Sequence, residues 1–244
     1  MKTIGRLHTI IRHPVKSLSG EEVVKTRLMS YGLYGDRSHA FLEGERYHTA
    51  TQNPKMVGYS AAFEGEESDN SYPPVRITSP DGQRFYWHED RCLEEFQQLA
   101  GKTLLKEVHT PQHVPLGAIE EEHILIVNEA SVTALEEETG KQIDWRRFRP
   151  NFVVTLSDGV PFSEEHMAGK KLQIGSAEIE IVRPCERCSI INIDPSSTAI
   201  DPLVLKTVYQ KHGNNFGMYA TIRKTGVVSV GDEIVMVGEV IKNG

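Results

Sequence analysis

Cysteine is scarce in this chain: three residues among 244. The count is odd, and three thiols cannot staple a small secreted fold or fill a conventional four-cysteine iron–sulfur cluster. Long apolar runs are also missing. None approaches the ~18 residues of a membrane helix, and the opening MKTIGRLHTIIRHPVKS carries no signal-peptide core or cleavage pattern. The expected setting is a reducing cytoplasm with free thiols and no membrane partner. Positive charge is short: 27 Lys plus Arg face 34 Asp plus Glu, a net charge of −7. That balance argues against nucleic acid as a partner. G-x-S-x-G, P-loop and G-x-G-x-x-G sequences are all absent, which disfavours a serine hydrolase, a kinase-type NTPase and a Rossmann dehydrogenase. The ten histidines are scattered without ligand-like spacing, so His13, His39 and His48 read as core or surface residues.

What is present is an ordinary globular composition, 39% apolar and 25% charged, long enough for one large domain or two small ones. The first ninety residues alternate short apolar runs with Gly and Pro. TIGRLHTIIRHPV and EEVVKTRLM read as strands, SYGLYGDR as a turn in which Gly32 and Gly35 take positive φ, and VRITSPDGQRFYW as a hairpin. GEESDNSYPP, residues 65–74, reads as an exposed loop. EDRCLEEFQQLAG predicts a helix with Cys92, Phe96 and Leu99 on one face. NEASVTALEEETGK predicts a second, capped by Asn128 or Ser131 and ended by Gly140, and DPLVLKTVYQKHG a third. HILIV, FVVTL, AEIEIV and CSIINI read as strands, and FGMYATIRKTGVVSVGDEIVMV as a β-meander. The loop at 109–122 marks a boundary, giving domains 1–110 and 111–244.

Three stretches carry chemistry. RPCERCSIINIDPSS, residues 183–197, sets Cys185 and Cys188 in a C-x-x-C between Arg183 and Arg187. From the residues alone four readings stay open: a zinc site short of two ligands, a redox dithiol not placed at a helix start, two buried inert thiols, or one thiolate kept ionised by the arginines and ligating a soft metal centre. DWRRFRPNFVV crowds Arg146, Arg147 and Arg149 before Pro150 and Asn151, either a surface salt-bridge patch or a compact anion site. HPVKSLSGEEV offers Lys16, Ser17 and Ser19 in a turn able to hold a phosphate, and GDRSHAFL adds Arg37, with Asp36 or Glu43 as its ionic partner.

In order along the chain, HPVKSLSG, GLYGDRSHAFLE, TATQNPKMV, RFRPNFVV, RPCERCSIINIDPSS and FGMYATIRKTGVVSVGDEI resemble a MOSC protein with the N-terminal β-barrel that precedes the MOSC domain, in a pattern similar to the amidoxime-reducing components. The resemblance spans nearly the whole chain. It implies a β-rich α+β fold: a small N-terminal β-barrel domain, then a MOSC β-barrel with flanking helices. It implies a molybdenum–pyranopterin cofactor, with Cys188 as the metal ligand and Cys185 its neighbour. By motif, Lys16, Ser17, Arg37, Arg149 and Asn151, with Arg187 beside Cys188, map to the cofactor-holding positions. Glu120 stands where the family has an acid, though as Glu rather than Asp, and is a candidate catalytic group. Thr51 replaces the arginine of a frequent TARQ sequence. The implied activity is reduction of N-hydroxylated or N-oxygenated small molecules, with electrons from a separate ferredoxin- or flavodoxin-type donor. The alternative is a molybdenum-cofactor or persulfide carrier. A structural module with inert cysteines is a third reading. Pyridoxal phosphate, associated with fused sulfurases through another domain, is not expected.

Overall fold

The computed structural model describes residues 2–237. Seven strands close into a barrel. In ring order they are Phe152–Leu156, Ile124–Asn128, Asn215–Lys224, Ala177–Glu186, Lys171–Ile174, Glu233–Val237 and Lys2–Arg12, which pairs back onto Phe152–Leu156. Lys171–Ile174 and Ala177–Glu186 show the two-residue alternation of strands with one face inward. Ile124–Asn128 is buried on both faces, because Glu129–Thr139, the helix that follows it, covers its outside. The barrel is filled by Leu7, Ile126, Phe152, Ile179, Met218 and Ile234, among others.

A second core gathers the rest of the N-terminal half. Two small sheets, one of His39–Glu43, Arg46–Tyr47 and Leu105–Val108 and one of Ser60–Phe63, Val75–Thr78 and Arg84–Tyr86, enclose an aromatic cluster with the helix Asp90–Ala100. Phe41 stacks on Phe96 at 4.4 Å between ring centroids. Cys92 is fully buried there, and burial pushes its thiol up to about 12, so it behaves as a small hydrophobe. Helices end as the glycines announce: Gly101 and Gly140 each adopt the left-handed cap. Among the described residues no helix is long and apolar enough to cross a membrane.

The halves are interlaced rather than strung in series. The first strand, Lys2–Arg12, completes the barrel of the C-terminal half, while Gly226–Ser229 leaves it to pair with Lys25–Met29. The tail is therefore not a meander. Its three strands take different neighbours, and at the crossing Gly226 packs so close to the Ser176 backbone that a Cβ would stand 2.6 Å away, a closeness only glycine permits. The apolar run after Cys188 is likewise not a strand. Both edges of Ala177–Glu186 are already paired, so Ser189–Asn192 turns into one 3₁₀ turn instead. The polar loop at 65–74 is only partly exposed: Glu67 is held by Thr26, by Arg27 and by the buried Arg12 (2.9 Å).

Gly217 sits in a ring strand at φ +79, and a Cβ there would lie 2.7 Å from the Ile126 carbonyl oxygen. Gly217→Ala is expected to lower unfolding stability by ~2–4 kcal/mol, from a left-handed penalty plus a backbone clash. The midpoint of urea unfolding measures this, and an unchanged midpoint contradicts the assigned register.

Candidate functional site

A cavity of about 240 Å³ opens where the barrel rim meets the N-terminal core, and Lys16, Ser17, Arg37, Glu120, Arg149, Asn151, Arg187 and Cys188 all line it. These eight residues come from five separate stretches of sequence. Backbone pairing explains how they meet. Val15 bridges His39 in parallel, Lys16 N–H donates to the His39 carbonyl (2.8 Å), and Arg37 N–H donates to His13 (2.6 Å). The HPVKS and GDRSH turns are thereby one unit.

Asn151 fastens that unit to the barrel. Its N–H donates to Leu125, its Oδ1 accepts from Leu125 N–H (3.1 Å), and its carbonyl accepts from Ile11 (2.8 Å). Just before it, Asp144 caps the 3₁₀ turn Trp145–Phe148, accepting from Arg146 N–H at 2.9 Å. The turn ends on Arg149 in the left-handed region, φ +54. The three arginines of RRFR then separate. Arg146 stays outside on Asp144. Arg147 pins the loop after Cys188, donating to the Asn192 carbonyl (3.2 Å) and to Asp194 (2.7 Å). Only Arg149 enters the cavity, where it donates to the Leu18 carbonyl (2.9 Å).

The walls carry an excess of buried positive charge. Lys16, Arg37, Arg149 and Arg187 are each no more than 8% exposed. One wholly buried carboxylate, Asp36, opposes them, with the half-exposed Glu120 at 3.8 Å from Lys16; Glu121 and Glu122, both paired with Arg183, and Glu186 also line the cavity. Burial, then repulsion from Arg37, pushes the Arg149 guanidinium down to about 9. Burial also lowers Lys16, against the pull of Glu120. Such a cluster is stabilised by an anion entering the cavity. Lys16 further donates to the Ala118 carbonyl (2.8 Å), which fixes the short helix Leu116–Ile119 over one side.

The two cysteines of the C-x-x-C differ. Cys188 is exposed and lines the cavity, whereas Cys185 is 1% exposed and packs with Leu125 and Tyr219. The flanking arginines do not both serve one thiol, contrary to expectation. Arg183 reaches outward to Glu121 (2.6 Å) and lies over the Tyr219 ring. Arg187 donates to the Cys185 sulfur at 2.9 Å. Among the described residues no group of three His, Cys, Asp or Glu side chains is placed to hold a metal by itself.

Sequence reasoning missed Asp36 as a structural hub, and Tyr219, Phe148 and Leu125 as walls. For Asp36 the signal lay in the GDR turn, where an acid beside Arg37 within an apolar context implies a buried pair. Thr51, at the position of the missing arginine, also lines the cavity.

Residues 105–235 match the MOSC domain family, and residues 4–106 match the MOSC N-terminal beta barrel domain family. The chain is 26% identical to mitochondrial amidoxime reducing component 2 of Macaca fascicularis, over 96% of this chain and 84% of that protein, and as similar to the protein of the same name in Homo sapiens. It is 37% identical to the molybdenum cofactor sulfurase of Caenorhabditis elegans, over 43% of this chain and 15% of that one. In three dimensions it resembles the YuaD protein from Bacillus subtilis, with a TM-score of 0.52 over 94% of this chain and 93% of that one at 14% identity, a likeness of fold alone.

The buried bases give a pH test. His13 and His39 are lowered to about 3, chiefly by burial, with Arg149 adding to the effect at His13 and His109 at His39. Unfolded, each titrates near ~6.5. The unfolded chain therefore takes up protons that the folded chain refuses. Their contribution to stability is complete above pH ~6.5 and drains away as pH falls toward 3, by ~2 kcal/mol for each histidine at pH 5. Denaturant midpoints from pH 7.5 to 5 are expected to fall, with His48, His109 and His123, which burial also lowers, adding to the slope, and His39→Gln is expected to make that slope shallower. An unchanged slope in the variant removes His39 from this account.

Proposed function

This chain belongs to the MOSC family, and on that footing we propose that it is a molybdenum-cofactor-dependent reductase of N-oxygenated small molecules, with Cys188 as the metal's protein ligand. One observation carries the reading: the exposed thiol of the C-x-x-C opens into a cavity whose walls hold four buried cations. The residues suit the cofactor. A pyranopterin bears a phosphate, which the four buried cations would favour, and a soft thiolate is an appropriate ligand for molybdenum. Among the described residues Arg187 Nε is buried with no hydrogen-bond partner, in a side chain that lines the cavity, an unspent polar group of the kind that calls for an explanation. When bound, the molybdenum supplies two-electron chemistry that removes oxygen from the substrate.

The chain's own residues do the rest. Lys16, Ser17, Arg149 and Arg187 hold the phosphate by charge-assisted hydrogen bonds. Arg37, clamped by Asp36 and by the Arg149 carbonyl (3.4 Å), keeps that wall rigid. Glu120, half exposed and 3.8 Å from Lys16, is the carboxyl placed to pass protons to substrate. Each N–O bond cleaved needs two electrons and two protons and releases water. Cys92 is locked in the core, and only Cys185 remains besides Cys188, so this chain has no four-cysteine set for a cluster. Electrons come from a separate one-electron donor of ferredoxin or flavodoxin type, through a small transient contact. The exposure of Cys188 also suits a second reading, a persulfide or cofactor carrier without turnover.

Protein made with a working cofactor pathway is expected to contain molybdenum. Cys188→Ser is expected to lose it, and Cys185→Ser to keep most of it. Equal loss in both, or stoichiometric zinc, defeats the single-thiolate assignment. Arg149→Ala is expected to weaken cofactor retention roughly tenfold to a hundredfold, the worth of a contact of ~1.5–3 kcal/mol. Loaded protein with NADH and an N-hydroxylated base is expected to turn over little until a ferredoxin- or flavodoxin-type donor and its reductase are added. Inactivity across donors and several N-oxygenated substrates favours the carrier.

A further inference from the structure

The unused cysteine of the C-x-x-C has a partner that the proposed function does not explain. Cys185 lies at the inward-facing end of the strand Ala177–Glu186, almost wholly buried. Arg187 curls back from the chain after that strand and donates Nη1–H to the Cys185 sulfur at 2.9 Å. Its Nη2–H goes to the Phe148 carbonyl at 2.8 Å, and the guanidinium lies 5.6 Å from the Phe148 ring centroid. Arg187 is therefore fastened at two nitrogens and one face. The nitrogen that remains, Nε, is buried without a partner among the described residues, in a side chain that lines the cavity. An arginine swinging freely on its long stem would spend ordering entropy on each anion it met. This one has its plane fixed beforehand, and its charge is fixed with it.

We propose that Cys185 is a positioning residue for the anion site: its sulfur and the Phe148 carbonyl together orient Arg187 so that the fixed guanidinium charge stands in the wall facing a phosphate-bearing ligand in the cavity. The proposal rests on reading the cavity as an anion site. It also accounts for why the second sulfur is present without being a metal ligand. The sulfur is already taken as a hydrogen-bond acceptor, inside the wall and away from the exposed Cys188. A sulfur accepting from a guanidinium can be replaced by oxygen but not by a methyl group, which separates positioning from packing.

The test uses cofactor-free full-length protein and inorganic pyrophosphate, titrated calorimetrically. Wild type is expected to bind, and Cys185→Val, which fills the same space without an acceptor, to bind at least tenfold more weakly while still melting cooperatively as a folded protein. Cys185→Ser is expected to restore affinity to within about threefold. If Cys185→Val does not fold, Cys185→Ala takes its place. In an Arg187→Gln background the Val substitution is expected to add no further loss, since Cys185 acts through Arg187. The Arg187 guanidinium N–H resonances should shift with pyrophosphate in wild type and in the Ser variant, and not in the Val variant. A Val or Ala variant with wild-type affinity, or a Ser variant no better than Val, overturns the positioning role while leaving the anion site standing. Wild type that binds no pyrophosphate overturns the anion site and the positioning role together.

Discussion

One wholly buried carboxylate holds the cavity together. Asp36 accepts from the His13 backbone N–H at 2.7 Å, from the Arg37 guanidinium, and from Asn151 Nδ2 at 3.0 Å. Burial by itself would raise its carboxyl, but Arg37 and the His13 hydrogen bonds outweigh that and hold it well below the usual carboxylate range. A buried ion is tolerable only when its hydrogen-bonding capacity is filled. The three partners come from three places in the sequence, so filling it obliges the N-terminal turns to meet the barrel at Asn151. The contact between the two halves is thus set by a polar requirement as well as by apolar area. Leaving Asp36 unpartnered would cost far more than an ordinary surface pair.

That constraint has a conformational consequence. Six residues other than glycine take positive φ among those described, and three of them, Ser17, Arg37 and Arg149, line this cavity. Long side chains favour the left-handed region little. Strain of this kind persists only where neighbours over-determine the backbone. Here they do: Arg37 N–H is held by the His13 carbonyl, Arg149 N–H by Arg146, and Arg149 Nη2 by the Leu18 carbonyl. The reward of the strained turns is that like charges, which would spread apart in water, are held facing one space. Arg149, lowered to about 9 by burial and by Arg37, records the cost of that crowding.

Much of this was legible in the sequence because the signals were chemical and local. Lys16 with Ser17 in a Pro-led turn, Arg149 before Pro150, and a C-x-x-C without further ligands each pointed to an anion or metal site without knowledge of the fold. Helices ended at their glycines, and hairpins turned at theirs. What stayed hidden was long-range. No periodicity in TIGRLHTIIRHPV says that it closes a barrel begun a hundred residues later, since strand partners are chosen by topology and not by the strand's own pattern. SIINI has strand composition, yet no free edge awaits it. RRFR looked like one cluster, but a single left-handed residue sends Arg149 inward and leaves Arg146 outside.

The same logic decides between the two sulfurs, which spacing alone could not. In Ala177–Glu186 the buried positions are Ala177, Ile179 and Ile181, in step with the two-residue period, and Cys185 beyond two register shifts, with Arg183 between them reaching outward. Cys185 is buried because, still within the paired strand, it packs against Leu125 and Tyr219. Glu186 is the last residue of the strand, and Arg187 N–H then turns to the Asn214 carbonyl (2.8 Å). Cys188 comes after the period has stopped, on a turn that Arg147 braces through Ile191, Asn192 and Asp194. Its sulfur is free to face the cavity because the strand ended two residues earlier. A strand one turn longer would have returned Cys188 to a ladder and its alternation. The C-x-x-C here is a boundary between two regimes, one sulfur belonging to the wall and the other to the space it encloses.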